Sequence, residues 1–359
     1  MPSLADRISI VVPIYCSKES SLEDLRNCLQ SLRNAEIPTP TTEIEIVLID
    51  DGNPSTVSPL LRTVASKYEA KLVRLERNVG AGIARNAGVQ VASADLLIFI
   101  DSDCIAPPKW ICELTRPIYE GRCEASTACY GGPVTRTWLT LFQDDDFAYR
   151  QPNIECEVAF LNSCNMAITR QAFQSCDRFP VQRVGEDAEL GMELAERGMP
   201  ARFLPQASVK HSYRNSVKQL WWQRFLFAHF RVLSVAKMIG RAVLGRKRRG
   251  IISFSLSRTG LAMGTNAVSV ICLGLAAVGS VFAHRTVVPI LVYAVGSLAV
   301  EMLIHTKFIC FVAKRHGARQ ALMSLLGLYI TDSAYLLGSI TGVIKTQDFG
   351  YKSEEVVTS

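Results

Sequence analysis

Three carboxylate pairs stand out by type and spacing: Asp50-Asp51, Asp101-Ser102-Asp103 and Glu186-Asp187. In Asp101-Ser102-Asp103 alternate side chains project from a strand end, so the two carboxylates are spaced by one residue. One can then hold a hard divalent cation while the other holds the metal's shell or a sugar hydroxyl. Mg2+ typically takes one or two carboxylates together with substrate phosphate oxygens. Such a cation would neutralise charge developing on a departing diphosphate. A bare Asp-x-Asp arises by chance in many chains; the apolar run DLLIFI directly before it gives this one its weight. Glu186-Asp187 sits in VGEDAELGMELAERG, where Leu190, Met192, Leu194 and Ala195 predict a helix from near Ala188 to Gly198. Carboxylates at that end are favoured by the helix dipole. Taken alone they read as simple caps; the functional reading is a general base held ionised beside a sugar.

These groups need a scaffold, and the chain supplies a regular one. Ile8 to Ile14 is a continuous β-branched apolar run, the mark of a strand buried on both faces. Leu22, Leu25, Leu29 and Leu32 fall on one face of a predicted helix over Ser20 to Leu32. A second strand follows in EIEIVLIDDG, a helix over Val57 to Tyr68, a short strand over Lys71 to Leu75, a helix over Ile83 to Ala92 and a strand over Asp95 to Ile100. Four such alternations predict an α/β fold with a mostly parallel sheet. Ligands bind beyond the carboxyl ends of such strands. Tyr15, Asp50, Asp51, Asp101 and Asp103 all fall there. A dinucleotide fingerprint is excluded: Gly80 and Gly82 follow the third strand, and Arg85 stands where the last glycine is needed.

Composition narrows the classes further. The 359 residues suit about two domains. A net charge of +6 on 39 basic and 33 acidic residues is too balanced for an overall nucleic-acid footprint, so no nucleic-acid partner is expected. Eleven cysteines make an odd number with no CxxC pair, which argues against a zinc ribbon and for a reducing compartment. The N-terminus MPSLADRISIVVPIY lacks the pattern of a signal peptide.

Taken together, VVPIY (11–15), VLIDDG (47–52), RNVGAGIARNAG (77–88), IFIDSDC (98–104), SCNMAITRQAF (163–173) and GEDAELGMELAERG (185–198) resemble a family 2 glycosyltransferase of the GT-A fold, over roughly Ile8 to His211. The resemblance implies that Pro13, Tyr15 and Asp51 hold the base and ribose of a nucleotide-sugar, with Asp50 as their structural neighbour. It places Arg85 on the nucleotide side and Asp101 on ribose or sugar beside the cation. Asp103 would hold Mg2+ or Mn2+, and His211 would be a further metal or diphosphate ligand. Asp187, paired with Glu186, would be the catalytic base. Two departures matter. The segment CDRFPVQRV before Glu186-Asp187 departs from the family pattern, so the acceptor's identity does not carry over. KQLWWQR (218–224) does not match the Q-x-x-R-W of processive synthases, which favours single transfer over polymerisation.

The last third is apolar. Residues 259–283 carry no charge over 25 positions, about 37 Å as a helix against a membrane core of about 30 Å. Residues 286–304 carry only Glu301 near their end, and 320–344 carry Asp332 at mid-length, which leaves that segment either spanning or re-entrant. Arg246 to Arg249 and the basic residues between 307 and 319 fall on one side of a three-span arrangement, which places the head in the cytosol. Residues 216–241, with Trp221, Trp222, Phe225, Phe227 and Phe230 among basic residues, read as a helix in the headgroup region or as one packed on the head. The expected layout is a glycosyltransferase domain over 1–215, an interfacial helix and linker over 216–250, membrane helices over 251–345 and a polar tail over 346–359.

The reading that follows is an inverting, metal-dependent, multi-pass inner-membrane glycosyltransferase of cell-envelope polysaccharide assembly. Its partners are a nucleotide-sugar, a glycan or lipid-linked hydroxyl acceptor and membrane lipids. A polyprenyl-phosphate acceptor is the alternative within the enzyme class. A non-catalytic nucleotide-sugar-binding subunit is the alternative outside it, opposed by the carboxylates present. Transport is weaker still, with only Glu301 and Asp332 ionisable within the expected spans.

Overall fold

A computed structural model of the chain describes residues 7–16, 20–181, 184–243 and 287–344. These divide into two compact units. One holds residues up to 135 together with 150–213; the other holds 136–149 together with the helices from 214 onward.

The first unit is built on an eight-stranded sheet. Its strands are β1 (Arg7–Ile14), β2 (Glu43–Asp50), β3 (Lys71–Arg74), β4 (Leu96–Ile100), β6 (Ala125–Thr127), β8 (Cys156–Val158), β9 (Asn165–Thr169) and β10 (Ala201–Phe203), in the order β3-β2-β1-β4-β9-β6-β10-β8. The pairs β3–β2, β2–β1, β1–β4 and β6–β10 are parallel, and β4–β9, β9–β6 and β10–β8 antiparallel. The continuous apolar runs are buried strands, as expected: every residue of β4, and every residue of β1 after Arg7, is inside.

Helices cover both faces. Ile8, Ile10, Val12 and Ile14 pack on one side with Leu25 and Leu29 of α1 (Ser20–Arg33), Leu61 of α2 (Ser58–Lys67) and Trp110 and Leu114 of α4 (Trp110–Tyr119). Val11, Val47 and Phe99 face the opposite layer, with Ala84 and Ala87 of α3 (Ala81–Val91), Phe173 of α6 (Arg170–Ser175) and Leu190 and Leu194 of α7 (Glu186–Glu196). A side chain fully buried in this way contributes about 1.5–3 kcal/mol. A smaller sheet of β5 (Cys104–Ile105), β11 (Val209–His211) and β7 (Tyr130–Pro133), in the order β5-β11-β7, lies beyond the end of β4. Its strands are two to four residues long and carry no periodicity, so the sequence did not announce them. Helix α7 begins at Glu186 and not near Ala188, which puts both acidic residues inside the first turn.

The second unit is helical: α5 (Trp138–Arg150), α8 (Val217–Val243), α9 (Val287–His316) and α10 (Ala318–Ile344). Leu139 and Phe142 of α5 pack with Leu220, Phe308, Val312, Ala321 and Leu328. Among the described residues α10 alone is long and apolar enough to cross a membrane, and half of its most apolar stretch is buried within the unit. One such helix does not make the expected three-span arrangement. The expected span 259–283 and the basic run 246–249 lie outside the described residues. The segment around Asp332 is not broken for re-entry; α10 is continuous, and the Asp332 carboxylate lies 3.4 Å from His305 Nε2. The aromatic helix α8 lies along α10: Trp221 Nε1 donates to Ser333 Oγ at 3.2 Å, and Arg224 is buried against Asp146 at 3.2 Å. Its basic charge is thus partly spent inside the protein.

At the end of β2 the turn depends on Gly52. Its φ is +67°, and an added Cβ would stand 2.2 Å from the carbonyl carbon of Arg77. Replacing Gly52 with alanine should lower the unfolding free energy by about 2 kcal/mol or more, through left-handed strain and backbone overlap. Denaturant unfolding checks this; an unchanged midpoint would mean that the Asp50–Gly52 turn can relax freely.

Candidate active site

The polar residues gather at the carboxyl edge of β1, β2 and β4, where the crossover topology leaves the strand ends open. Tyr15, just past β1, is 53% exposed, while Pro13 is buried within β1 opposite Ile49. Pro13 is thus part of the strand that ends just before Tyr15. Asp50 is fully buried and turned inward. Its Oδ1 accepts from the Asn53 backbone and side-chain nitrogens, both at 2.8 Å, and its Oδ2 from Arg74 Nη1 at 2.8 Å. That is a turn-building role, consistent with its expected place as a structural neighbour. Asn53, which the sequence reading missed, also accepts from Cys16 N and donates to Ile14 O, joining the β1 and β2 ends. Asp51 accepts from Val79 N at 2.8 Å and Gly80 N at 3.1 Å, so its carboxylate fixes the loop entering α3.

Arg85 forms the floor. It is 2% exposed; Nη2 donates to Asp101 Oδ1 at 2.5 Å, Nη1 donates to Glu186 Oε1 at 3.2 Å, and the guanidinium lies over the Phe179 ring. Burial opposes its charge, yet Asp101 and Glu186 more than compensate, and the guanidinium is held more firmly charged than usual. Gly82 makes the approach possible, because a Cβ there would stand 2.9 Å from Glu186 Cγ. Burial pushes Asp101 up despite Arg85. Burial, with Asp187 next to it, pushes Glu186 up to about 7.

Asp103 turns the other way. It faces His211, whose Nε2 lies 3.5 Å from Asp103 Oδ1. The imidazole is stacked on Tyr130 at 4.2 Å between centroids and meets the Tyr213 ring edge-on at 4.6 Å. Asp103, His211 and Cys104 offer ligand atoms within 4.8 Å of one another. The Cys104 thiol is fully buried, and burial raises it well above its usual value, so it stays protonated. The carboxylate and imidazole remain, an oxygen–nitrogen donor set that suits Mg2+ or Mn2+ with substrate oxygens completing the shell. Asp101, expected beside the metal, is engaged by Arg85.

Asp187 sits in the first turn of α7. Its Oδ2 accepts from Ser163 N at 3.1 Å and Ser163 Oγ at 3.3 Å, and Oδ1 from Ala188 N at 2.8 Å. Ser163 carries no signal of its own in SCNMAITRQAF, because its role needs a contact 24 residues away. Glu186 points inward to Arg85, whereas Asp187 is only partly buried.

Comparison with known proteins identifies the family and the fold. The family model described as Glycosyl transferase family group 2 matches residues 96–304, more than half of the chain, and that of Glycosyl transferase family 2 matches residues 9–176. The chain belongs to the family 2 glycosyltransferases, and its first unit has the GT-A fold. It is similar to an undecaprenyl-phosphate 4-deoxy-4-formamido-L-arabinose transferase of Proteus mirabilis, 30% identical over 118 residues, which are 32% of this chain and 35% of the relative. It is also similar to an N-acetylglucosaminyltransferase of Bradyrhizobium diazoefficiens, 24% identical over 242 residues, 61% of this chain and 49% of the relative. The chain thus spans about a third to a half of the length of these relatives. A mannosyltransferase of Pyrobaculum calidifontis, solved with GDP-Man and Mn2+, superposes with a TM-score of 0.52 at 16% identity, covering 94% of this chain and 86% of that one.

The raised Glu186 carboxyl gives a pH test. Its folded value of about 7 lies above its ordinary 4.5, so between those values the native state binds more protons than the unfolded chain. Stability should therefore fall as pH rises through that window. Glu186→Gln should flatten this part of the stability–pH curve, measured by denaturant unfolding across the window. An unchanged slope would mean that Glu186 ionises normally.

Proposed function

We propose that the chain transfers one sugar, with inversion, from a nucleotide-sugar to a hydroxyl of a glycan or lipid-linked acceptor at the cytosolic face of a membrane. The observation that carries the reading is that Arg85 ties Asp101, two residues before the His211-facing Asp103, to Glu186, the chain neighbour of Asp187 held on Ser163.

The residues divide the work. Tyr15 and the Asp51-fixed loop line the side for the nucleotide base and ribose, and Asp101 faces the sugar from its anchor on Arg85. Asp103 and His211 would hold Mg2+ or Mn2+, which when bound neutralises charge on the departing diphosphate. Asp187, held in place by the Ser163 donors at the start of α7, takes the acceptor hydroxyl proton. The acceptor oxygen then bonds to the anomeric carbon on the face opposite the leaving diphosphate, whose bond to that carbon breaks. Glu186 is too enclosed to meet an acceptor; it steadies Arg85.

Membrane attachment rests on α10, whose Leu322, Leu326, Leu337, Ile340, Val343 and Ile344 are exposed. The similarity to an undecaprenyl-phosphate transferase supports a second reading, in which a polyprenyl phosphate is the acceptor. Such a phosphate is already anionic and needs no base, so Asp187 would orient it.

A panel of nucleotide-sugars with membrane lipid present, read by release of nucleoside diphosphate, should give metal-dependent turnover with one donor class. With a hydroxyl acceptor, Asp187→Asn should lower the rate about a hundredfold or more. With a phosphate acceptor the loss should be far smaller. Near-normal turnover of Asp187→Asn on a hydroxyl acceptor would remove the base assignment.

A further inference from the structure

Helix α1 buries an apolar stripe, yet a second line of side chains at helical spacing is polar: Asp24, Cys28 and Ser31. Cys28 engages the turn that carries Asp101 and Asp103, Asp24 the strand end that carries His211, and Ser31 the residue after β5. The Cys28 thiol donates to Asp101 O at 3.6 Å. Ser31 Oγ accepts from Ala106 N at 3.0 Å. Asp24 Oδ1 accepts from Ser212 Oγ at 3.0 Å, and the backbone nitrogen of that same Ser212 donates to Asp103 O at 2.9 Å. Spacings of four and three residues put these groups on one helix face, so α1 lies along the acidic turn as a rail.

The far end of that rail is the part with chemical consequence. Ser212 directly follows His211 and is bonded at both its backbone and its side chain. Its backbone fixes the distance to Asp103, and its hydroxyl ties the strand end to Asp24. On the opposite side His211 O accepts from Val134 N at 3.0 Å, and the ring is stacked on Tyr130. Removing the Asp24 carboxylate frees one side of this clamp and leaves the other in place. We propose that Asp24 is a positioning residue for the Asp103–His211 cation pair, acting through the Ser212 hydroxyl. The inference rests on the reading that Asp103 and His211 hold the metal. Asp24 lies outside the Asp103–Cys104–His211 group, and its Oδ1 accepts from Ser212. Partners one step removed from a metal ligand commonly govern affinity by 10–100-fold.

The test uses the full chain and Mn2+ alone, with the paramagnetic resonance of free Mn2+ reporting how much is bound. Wild type should bind Mn2+, and Asp103→Asn should abolish binding. Asp24→Ala should raise the Mn2+ dissociation constant about tenfold or more. Asp24→Asn keeps an oxygen that accepts from Ser212 and should stay within about threefold of wild type. Ser212→Ala, a far milder change to the fold, should reproduce the Asp24→Ala loss, and the double variant should bind no more weakly than the worse single one. Unchanged Mn2+ affinity in Ser212→Ala and Asp24→Ala, with Asp103→Asn still abolishing binding, overturns the role of Asp24 and leaves the metal reading standing. A lowered melting temperature without an affinity change does the same. Wild-type affinity retained in Asp103→Asn overturns the metal reading itself, and the inference with it.

Discussion

One buried guanidinium holds the site together. Arg85, from α3, bridges Asp101 at the end of β4 and Glu186 at the start of α7. Two enclosed carboxylates so placed would repel each other and resist ionisation; burial alone pushes both upward. A charged, planar donor between them turns that conflict into a three-part contact, which only Arg can make with separate N–H groups to each side. The cost of burying it is offset by the two carboxylates and by the Phe179 ring, while the absent side chain at Gly82 leaves room for Glu186. Because Asp187 follows Glu186 in the same helical turn, the placement of Arg85 also sets where the proposed base stands.

From this contact the rest can be traced outward. β4 delivers Asp101 to Arg85 and, two residues later, Asp103 to His211. The two carboxylates of one motif thus serve different ends, one anchoring and one facing the opening. The small sheet β5-β11-β7 exists to meet Asp103: β11 pairs with Cys104 on one side and carries His211 against Tyr130 of β7 on the other. The helical unit is organised by its own buried charges. Asp144, Asp145 and Asp146 of α5 take Arg315, His316 and Arg224. Such pairs lose heavily when one partner is removed, so they fix which helices meet in an otherwise apolar bundle.

What the sequence disclosed follows from where each signal lies. β1 and β4 read as strands because parallel strands covered on both faces must be apolar throughout. The leucines of α1 read as a helix because one face meets that sheet. The acidic residues at strand ends were visible for the same topological reason. Contacts between distant segments were not visible. Nothing near Arg85 names Glu186, 101 residues away, as its partner, and nothing near Ser212 names Asp24. By spacing alone Asp50 and Asp51 are alike, and only the turn shows that one points into the core and the other at the α3 loop. The burial of Arg224 was not visible because Asp146, which takes its charge, lies in a helix 78 residues earlier.

The most direct test of this account is a double-mutant cycle between Arg85→Met and Glu186→Gln, read by denaturant unfolding of the full chain. If Arg85 is the tie between the two carboxylates, its loss should cost less once Glu186 is already neutral, with a coupling of about 1 kcal/mol or more. Losses that add within about 0.5 kcal/mol would show that the two residues act independently, and would contradict the claim that one buried guanidinium organises the site.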